Sequence, residues 1–162
     1  MNTIKHGNLS WMDIKNPKEQ DIKKLKELFN FHPLIFEELT SPSQRPRAEE
    51  FDNCLYIVIH VPLFDRKNRI TYSGELDIVI TENYLITTHM GENIPLKSVM
   101  RLFNNNSLVK EKAMSKSVGY LLYFILEKLI SSCFPKIDHI SEKIDVIEGG
   151  IFNGKEKEMM TV

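Results

Sequence analysis

The pattern of apolar and polar residues divides the chain into a first part with mixed strand and helix signals and a last third that is helical. Residues 9–14 alternate weakly and predict a short strand. Residues 18–30 carry apolar residues at helical spacing with lysines on the other side, which predicts an amphipathic helix. Asn16 is expected to cap that helix, with Pro17 at its first position. A second, short helix is predicted over residues 33–39.

Strand signals follow in the middle of the chain. Residues 55–64 are β-branched, aromatic and almost continuously apolar, which predicts a strand buried on both faces. Pro62 lacks a backbone N–H, so it is expected to lie at the end of that strand or at a sheet edge. Residues 70–80 and 84–88 predict a hairpin joined by a tight turn. Another helix is predicted over residues 95–103.

The last third has a coiled-coil pattern. Apolar residues recur at alternating intervals of three and four over about four heptads, at Leu126, Ile130, Cys133, Ile137, Ile140, Ile144, Ile147 and Ile151. This pattern predicts one helix over residues 116–151, roughly 50 Å long. Pro135 is expected to kink it by removing a hydrogen bond to Ser131. The domain is too small to bury such a helix, so part of the heptad face is expected to meet another helix.

Composition narrows the class of protein. The chain has 162 residues, of which 42% are apolar, enough for one domain with a sizeable core. Its net charge of −1 argues against nucleic-acid binding as the main role. No signal peptide is visible, and the apolar run over residues 118–130 is shorter than a membrane span and contains Glu127 and Lys128. A soluble, intracellular chain is expected.

These patterns predict the organisation of the chain. Residues 1–112 are expected to form an α/β domain. Residues 113–152 are expected to form a long helix, the start of a stalk, that packs back on the domain. Residues 153–162 are polar and are expected to fray. Because a long apolar heptad face ends without a partner helix, we expect the sequence to be part of a larger protein.

Three carboxylates are the candidates for chemistry. Glu37 and Glu38 are adjacent on a short helix, so their side chains point about 100° apart and cannot both face the same neighbour. Glu127 lies in the apolar part of the long helix, where a carboxylate needs a partner, a metal or water. Spacing alone favours solvated charges and ion pairs. The alternative is a divalent cation, since Mg²⁺ prefers carboxylate oxygens and keeps several waters.

Other polar residues favour structural roles. His32 is expected to cap or pack at the start of the short helix, and His60, within a strand, is expected to be a satisfied core histidine. The basic turn that contains Arg45 and Arg47 is expected to pair with nearby carboxylates such as Glu49. No nucleophile–base pair or phosphate-binding loop is visible, so an enzyme is not expected.

At these residues the sequence resembles the cytosolic N-terminal domain of the CorA family of magnesium transporters. The matching segments occur in the family's order and read FHPLIFEEL, SQRPRAEEFDNCLYIVIHV, ITENYLITTH, LLYFILEKLI and IDHISEKIDVIEGGIF. They cover residues 11–152. The resemblance implies a mixed β-sheet between helix layers, an α/β (α+β) fold, followed by a long stalk-type helix. It also implies that the membrane helices and the family's GMN signature lie beyond this sequence.

The resemblance also implies a site. In the family, Mg²⁺ binds between cytosolic domains of neighbouring subunits in a pentamer and holds the channel closed. By position, the metal ligands here would be Glu37, Glu38 and Glu127, with a further acidic residue beyond Val162. The family often has Asp where this chain has Glu38 and Glu127, so reach and affinity are expected to differ. The site could also bind other divalent cations.

The resemblance leads to one functional expectation and two alternatives. The expectation is a cytosolic regulatory domain, at the cytoplasmic face of the cell membrane, that senses Mg²⁺ and gates a pore absent from this sequence. It is a homo-oligomer in the full-length protein and a monomer or dimer as this fragment, and it meets the membrane only through the missing helices. The alternatives are a structural oligomerisation module without a metal role and the domain of a CorA-related zinc or cobalt transporter.

Overall fold

The computed structural model describes residues 1–43, 45–65, 68 and 70–152, and in this part the chain forms six strands and six helices. The strands are β1 (Asn2–His6), β2 (Leu9–Lys15), β3 (Arg47–Phe51), β4 (Cys54–Asp65), β5 (Ile70–Ile80) and β6 (Tyr84–His89). The helices are α1 (Glu19–Leu28), α2 (Pro33–Glu38), α3 (Ile94–Asn105), α4 (Ser107–Met114), α5 (Val118–Ser131) and α6 (Phe134–Phe152).

The strands form one mixed sheet. Within the described residues its order is β1-β2-β6-β5-β4-β3. The β2 and β6 strands are parallel, and the other neighbours are antiparallel. The predicted β5–β6 hairpin is confirmed, with Ile80 opposite Leu85. The short strands β1 and β3 at the two edges were not predicted, and neither was α4.

Helices cover both faces of the sheet. Side chains alternate between the faces of a strand, so Trp11 and Met12 enter different clusters. The α1–α2 face is the layer in which Ile22, Leu25, Ile35 and Phe36 pack on one side of the sheet. The α3–α5 face is the opposite layer, with core residues Leu96, Val99, Phe103, Met114, Leu121, Ile125 and Leu129. The predicted mixed sheet between helix layers is confirmed.

The long strand β4 packs on both faces, as its apolar run predicted. Tyr56 and Val58 are buried on the α1–α2 face, and Ile57 and Ile59 pack against the α3–α5 face. The β3 strand pairs with β4 only as far as Val58. The rest of β4, including Pro62, therefore lies at the sheet edge on that side, as expected for a residue without a backbone N–H.

The predicted cap of the first helix was wrong. Lys18 is the N-cap residue of α1, and the carboxylate of Asp21 accepts the Lys18 backbone N–H at 3.1 Å. Asn16 instead takes a left-handed backbone conformation, with φ of 50°. Its side-chain oxygen accepts the Gly91 N–H at 2.7 Å. Asn tolerates this conformation. Asn16 therefore links two chain segments at a turn and does not cap the helix.

The single long helix predicted over residues 116–151 is divided into α5 and α6. Pro135 has no N–H to donate to Ser131, so the backbone tightens before it. The Cys133 N–H donates to the Ile130 carbonyl at 2.8 Å, and the Lys136 N–H donates to the Cys133 carbonyl at 3.0 Å. Proline was therefore correctly identified as the cause, but it ends one helix and begins another instead of bending a continuous one.

The chain divides into two compact units, Met1–Leu129 and Ile130–Val162. Most of α5 belongs to the first unit, where it contributes four buried apolar residues to the core. In the second unit none of the described residues of α6 is buried. Its exposed apolar residues are Phe134, Ile137, Ile140, Ile144, Val146, Ile151 and Phe152. The tail predicted to fray, residues 153–162, lies outside the described residues.

One described segment has the length and composition of a membrane span. Val118–Phe152 passes this test, which the apolar run read from the sequence alone did not. A core helix of a globular domain passes the same test. The buried residues of α5, including Leu121, Ile125 and Leu129, place the first half of the segment in that class.

Candidate functional site

The short helix α2 carries the acidic pair. His32 caps it, as predicted, because its Nδ1 accepts a backbone N–H of the first turn at 3.3 Å. Apolar contacts then fix the orientation of the helix, since Ile35 and Phe36 are buried in the α1–α2 face. This leaves Glu37 exposed and Glu38 half-buried at the end of the helix.

The two carboxylates face different surroundings. Glu37 lines an open pocket of about 410 Å³ between α1 and α2, together with Lys23 and Lys26. Glu38 lines a separate cavity of about 290 Å³, together with Asp77. The expectation that adjacent helical residues cannot both face the same neighbour is confirmed.

Glu38 forms an ion pair with Arg47, the first residue of β3. The same guanidinium donates through Nε to the Glu49 carboxylate at 2.6 Å and through Nη1 to the Ser43 hydroxyl. Its Cζ lies 5.6 Å from the ring centroid of Tyr56. The predicted pairing of Arg47 with Glu49 is confirmed. Its pairing with Glu38 was missed, because the two residues lie nine positions apart across a turn.

Beneath this ion pair lies a buried polar group. Tyr56 donates its hydroxyl to Asp77 at 2.8 Å, and Thr88 donates to the other oxygen of Asp77 at 3.0 Å. Burial raises the pKa of Asp77 to about 6, with smaller upward contributions from the charges of Glu75 and Glu38. The two hydrogen bonds oppose this rise by favouring the charged form. Asp77 therefore titrates at a clearly higher pH than an ordinary aspartate.

The connection between α2 and β3 is anchored to the sheet. The Ser43 N–H donates to the Glu75 carboxylate at 2.7 Å, and the Ser43 carbonyl lies 3.2 Å from His60 Nε2. His60 also lies 3.6 Å from the Glu75 carboxylate. His60 thus has polar partners, as predicted, but it is half-buried and not a core residue. These contacts hold the segment that places Arg47 next to Glu38.

Glu127 lies on the other side of the molecule's sheet. The helix that carries it, α5, buries Ile125 and Leu129 in the α3–α5 face. Glu127 itself is half-exposed and forms an ion pair with Lys128 at 3.3 Å. It therefore has the partner that a carboxylate in an apolar helix requires.

The sheet separates the three predicted ligands. Glu37 and Glu38 belong to the helix on the α1–α2 face, and Glu127 belongs to a helix of the α3–α5 face. Within the described ranges, no group of three or more His, Cys, Asp or Glu side chains could hold a metal ion. Carboxylate oxygens are suitable donors for Mg²⁺. The donor type therefore fits Mg²⁺, but a single copy of the chain does not bring the three carboxylates to one cation.

Asp77 and Glu75 were not singled out from the sequence. A signal was present, since Asp77 interrupts the apolar residues of β5, where an unpaired carboxylate would be costly. Thr88 lies directly opposite Asp77 on the neighbouring strand β6. Tyr56 lies on β4, two residues before Val58, which is the residue opposite Asp77. Only the strand order shows that these side chains meet.

Comparisons with known proteins agree on one family. The family model described as CorA-like Mg²⁺ transporter protein matches residues 6–162. The cobalt/magnesium transport protein CorA of Thermotoga maritima is 27% identical over 153 residues, which cover 92% of this chain and 42% of that protein. This chain therefore spans less than half the length of that relative.

Solved structures share the fold. The soluble domain of CorA from Methanocaldococcus jannaschii has a TM-score of 0.78 at 22% identity, covering 95% of this chain and 60% of that chain. The ZntB cytoplasmic domain from Vibrio parahaemolyticus has a TM-score of 0.66 at 15% identity, covering 86% of this chain and 55% of that chain. At these identities the likeness concerns the fold alone. On the family match over almost its whole length, this chain belongs to the CorA-like Mg²⁺ transporter family.

Proposed function

We propose that this chain is the cytosolic regulatory domain of a divalent cation transporter, located at the cytoplasmic face of the cell membrane. In this proposal the pair Glu37 and Glu38 of one copy supplies one carboxylate to a Mg²⁺ ion between subunits, and Glu127 of a neighbouring copy supplies another. The bound cation links the copies, in a pentamer for the full-length protein, and favours the closed state of the pore.

One observation carries the proposal. The three carboxylates lie on helices that cover opposite faces of one sheet. A single chain cannot bring them to one cation without unfolding, whereas two neighbouring copies can oppose the α1–α2 face of one to the α3–α5 face of the next. Family membership supports the same reading. The ion pairs with Arg47 and Lys128 show that Glu38 and Glu127 are each balanced by their own chain before any cation binds.

Magnesium is expected to stabilise the assembled chain. A ligand that binds only the folded, associated state raises stability, and at about ten times its Kd the gain raises the melting temperature by about 3–5 °C. The double variant Glu38→Ala with Glu127→Ala should abolish this shift. Differential scanning calorimetry with and without MgCl₂, together with analytical ultracentrifugation, measures both effects.

The control removes the same charge elsewhere. Glu27 on α1 and Glu111 on α4 are exposed residues on the same two faces. The variant Glu27→Ala with Glu111→Ala should keep the magnesium-dependent shift. An equal shift in the Glu38→Ala, Glu127→Ala variant would show that the site has been assigned to the wrong residues. Parallel titrations with ZnCl₂ and CoCl₂ test the related-transporter alternative, although a site made of carboxylates alone favours the harder cation.

A second candidate function is supported by α6. Its exposed isoleucines form an apolar face that would drive association without any metal. In that case association persists in EDTA and is lost in the variant Ile140→Asp with Ile144→Asp. The variant His139→Asp with Ser141→Asp places the same charges at exposed polar positions of α6 and should associate normally. Association that requires Mg²⁺ and survives Ile140→Asp with Ile144→Asp would exclude this candidate.

A further inference from the structure

The proposed ligand Glu38 has a competitor built into its own chain. Arg47 binds the Glu38 carboxylate through Nη2, and both side chains are only about one quarter exposed, at 27% for Arg47 and 24% for Glu38. Among the described residues, the structure gives no ion pair for Glu37, one position earlier. Glu37 faces an open pocket. The two members of the acidic pair therefore differ in how available they are to a cation.

Arg47 is held in place independently of Glu38. Its Nε donates to Glu49 at 2.6 Å, its Nη1 donates to Ser43, and its guanidinium lies over the ring of Tyr56. Burial alone would lower the pKa of Arg47, but the hydrogen bond to Glu49 and the charges of Glu38 and Glu49 raise it overall. The guanidinium is thus permanently charged and already oriented when a cation approaches Glu38.

A divalent cation and this guanidinium cannot share Glu38 without cost. Mg²⁺ binds carboxylate oxygens directly or through water and brings two positive charges into contact with the carboxylate. Arg47 cannot release its proton at physiological pH, so its charge stays next to the cation unless the side chain moves away. Moving away breaks the contacts with Glu49, Ser43 and Tyr56 as well. Either way, cation binding costs free energy, because Arg47 either stays next to the cation or loses its other contacts. The ion pair therefore weakens the binding of a cation to Glu38.

We propose that Arg47 is an internal competitor that sets the concentration at which a divalent cation captures Glu38. This inference rests on the proposed function, since it concerns the regulation of the same site. With Arg47 engaged, Glu38 responds only when the cation is abundant, which is the behaviour required of a sensor for an ion present at millimolar levels. Glu49 takes part by holding the Arg47 guanidinium in place next to Glu38.

The test compares three single variants of the whole chain. Arg47→Gln removes the competing charge. Arg47→Lys keeps the charge but loses the planar guanidinium, which can donate several hydrogen bonds at once. Arg45→Gln removes the same charge at an exposed position two residues away. Isothermal titration calorimetry with MgCl₂ should give an apparent Kd about three- to tenfold lower for Arg47→Gln than for the unchanged chain. Arg45→Gln should differ from the unchanged chain by less than about twofold, and Arg47→Lys should fall between the two. Far-UV circular dichroism in urea establishes that each variant is folded.

The outcomes distinguish this inference from the proposed function. If Mg²⁺ binds and Glu38→Gln weakens that binding, but Arg47→Gln and Arg45→Gln have the same Kd, Arg47 does not compete and only the inference fails. If neither the unchanged chain nor Arg47→Gln binds Mg²⁺, the proposed function fails and the inference with it. If Arg47→Gln does not fold, the intermediate Kd expected of Arg47→Lys still decides the matter, because a Kd equal to or higher than that of the unchanged chain contradicts competition.

Discussion

Replacing Trp11 by alanine is expected to lower the free energy of unfolding by about 3–5 kcal/mol. Trp11 is fully buried on β2 and packs edge-to-face against Phe103 of α3, with ring centroids 5.9 Å apart. Its indole N–H donates to the Thr87 hydroxyl at 3.0 Å, and that hydroxyl donates to Asp13 at 2.7 Å. The substitution therefore leaves a large cavity and removes a buried donor at the same time.

Two further variants separate these effects. Trp11→Phe keeps most of the apolar volume but loses the indole N–H, so its loss of stability should be clearly smaller than that of Trp11→Ala. Tyr123→Ala removes an aromatic ring that is 61% exposed on α5, and it should change stability by less than about 1 kcal/mol. Urea unfolding followed by far-UV circular dichroism is the suitable measurement, since Trp11 is the chain's single tryptophan and the variants lose its fluorescence. Equal losses for Trp11→Ala and Tyr123→Ala would contradict the described core.

Asp77 is expected to make the fold less stable as the pH rises. Burial raises its pKa from 3.8 to about 6 in the folded chain, so folding favours the protonated form. Asp77 therefore contributes stability below pH 3.8, loses it progressively as the pH rises to about 6, and adds no further change above that value. The difference between the two pKa values corresponds to about 3 kcal/mol.

The variant Asp77→Asn isolates this contribution. The amide does not titrate, so the difference in unfolding free energy between the two chains should change by up to about 3 kcal/mol between about pH 4 and pH 7. The unchanged chain should lose stability relative to the variant as the pH rises. Urea unfolding at several pH values measures this difference, in which the titration of the other carboxylates cancels. A difference that is the same at every pH would show that Asp77 titrates alike in the folded and unfolded chains.

Local sequence patterns predicted the elements that build the centre of the fold. The β-branched run in β4 and the alternation in β5 and β6 identified three neighbouring strands of the sheet. The edge strands β1 and β3 were missed for a physical reason. The strand β3 reads RAEEF and alternates between half-buried and exposed residues, but its half-buried side carries Arg47 and Glu49 as well as Phe51. It therefore has no apolar face that a period of two could reveal. The strand β3 forms because it pairs with β4, and this pairing depends on residues that are not its neighbours along the chain.

The candidate site was predicted in its residues but not in its contacts. The sequence placed Glu37 and Glu38 on a short helix and showed that they point apart, because helical geometry depends on neighbouring residues alone. The ion pair between Glu38 and Arg47 could not be predicted in this way. It depends on how the turn between α2 and β3 folds back, and Ser43 and Glu75 hold that turn through contacts across the sheet.

The sequence by itself determined the central strands of the sheet and most of the helical segments, which of their sides are apolar, and that the protein resembles one family of transporters. These properties follow from periodicity and from the order of short motifs, which are local along the chain. The tertiary structure alone decided that Glu37 and Glu38 lie on one face of the sheet and Glu127 on the other. The side of a sheet on which a helix packs depends on strand order and on the path of the connections, to which distant parts of the chain contribute together.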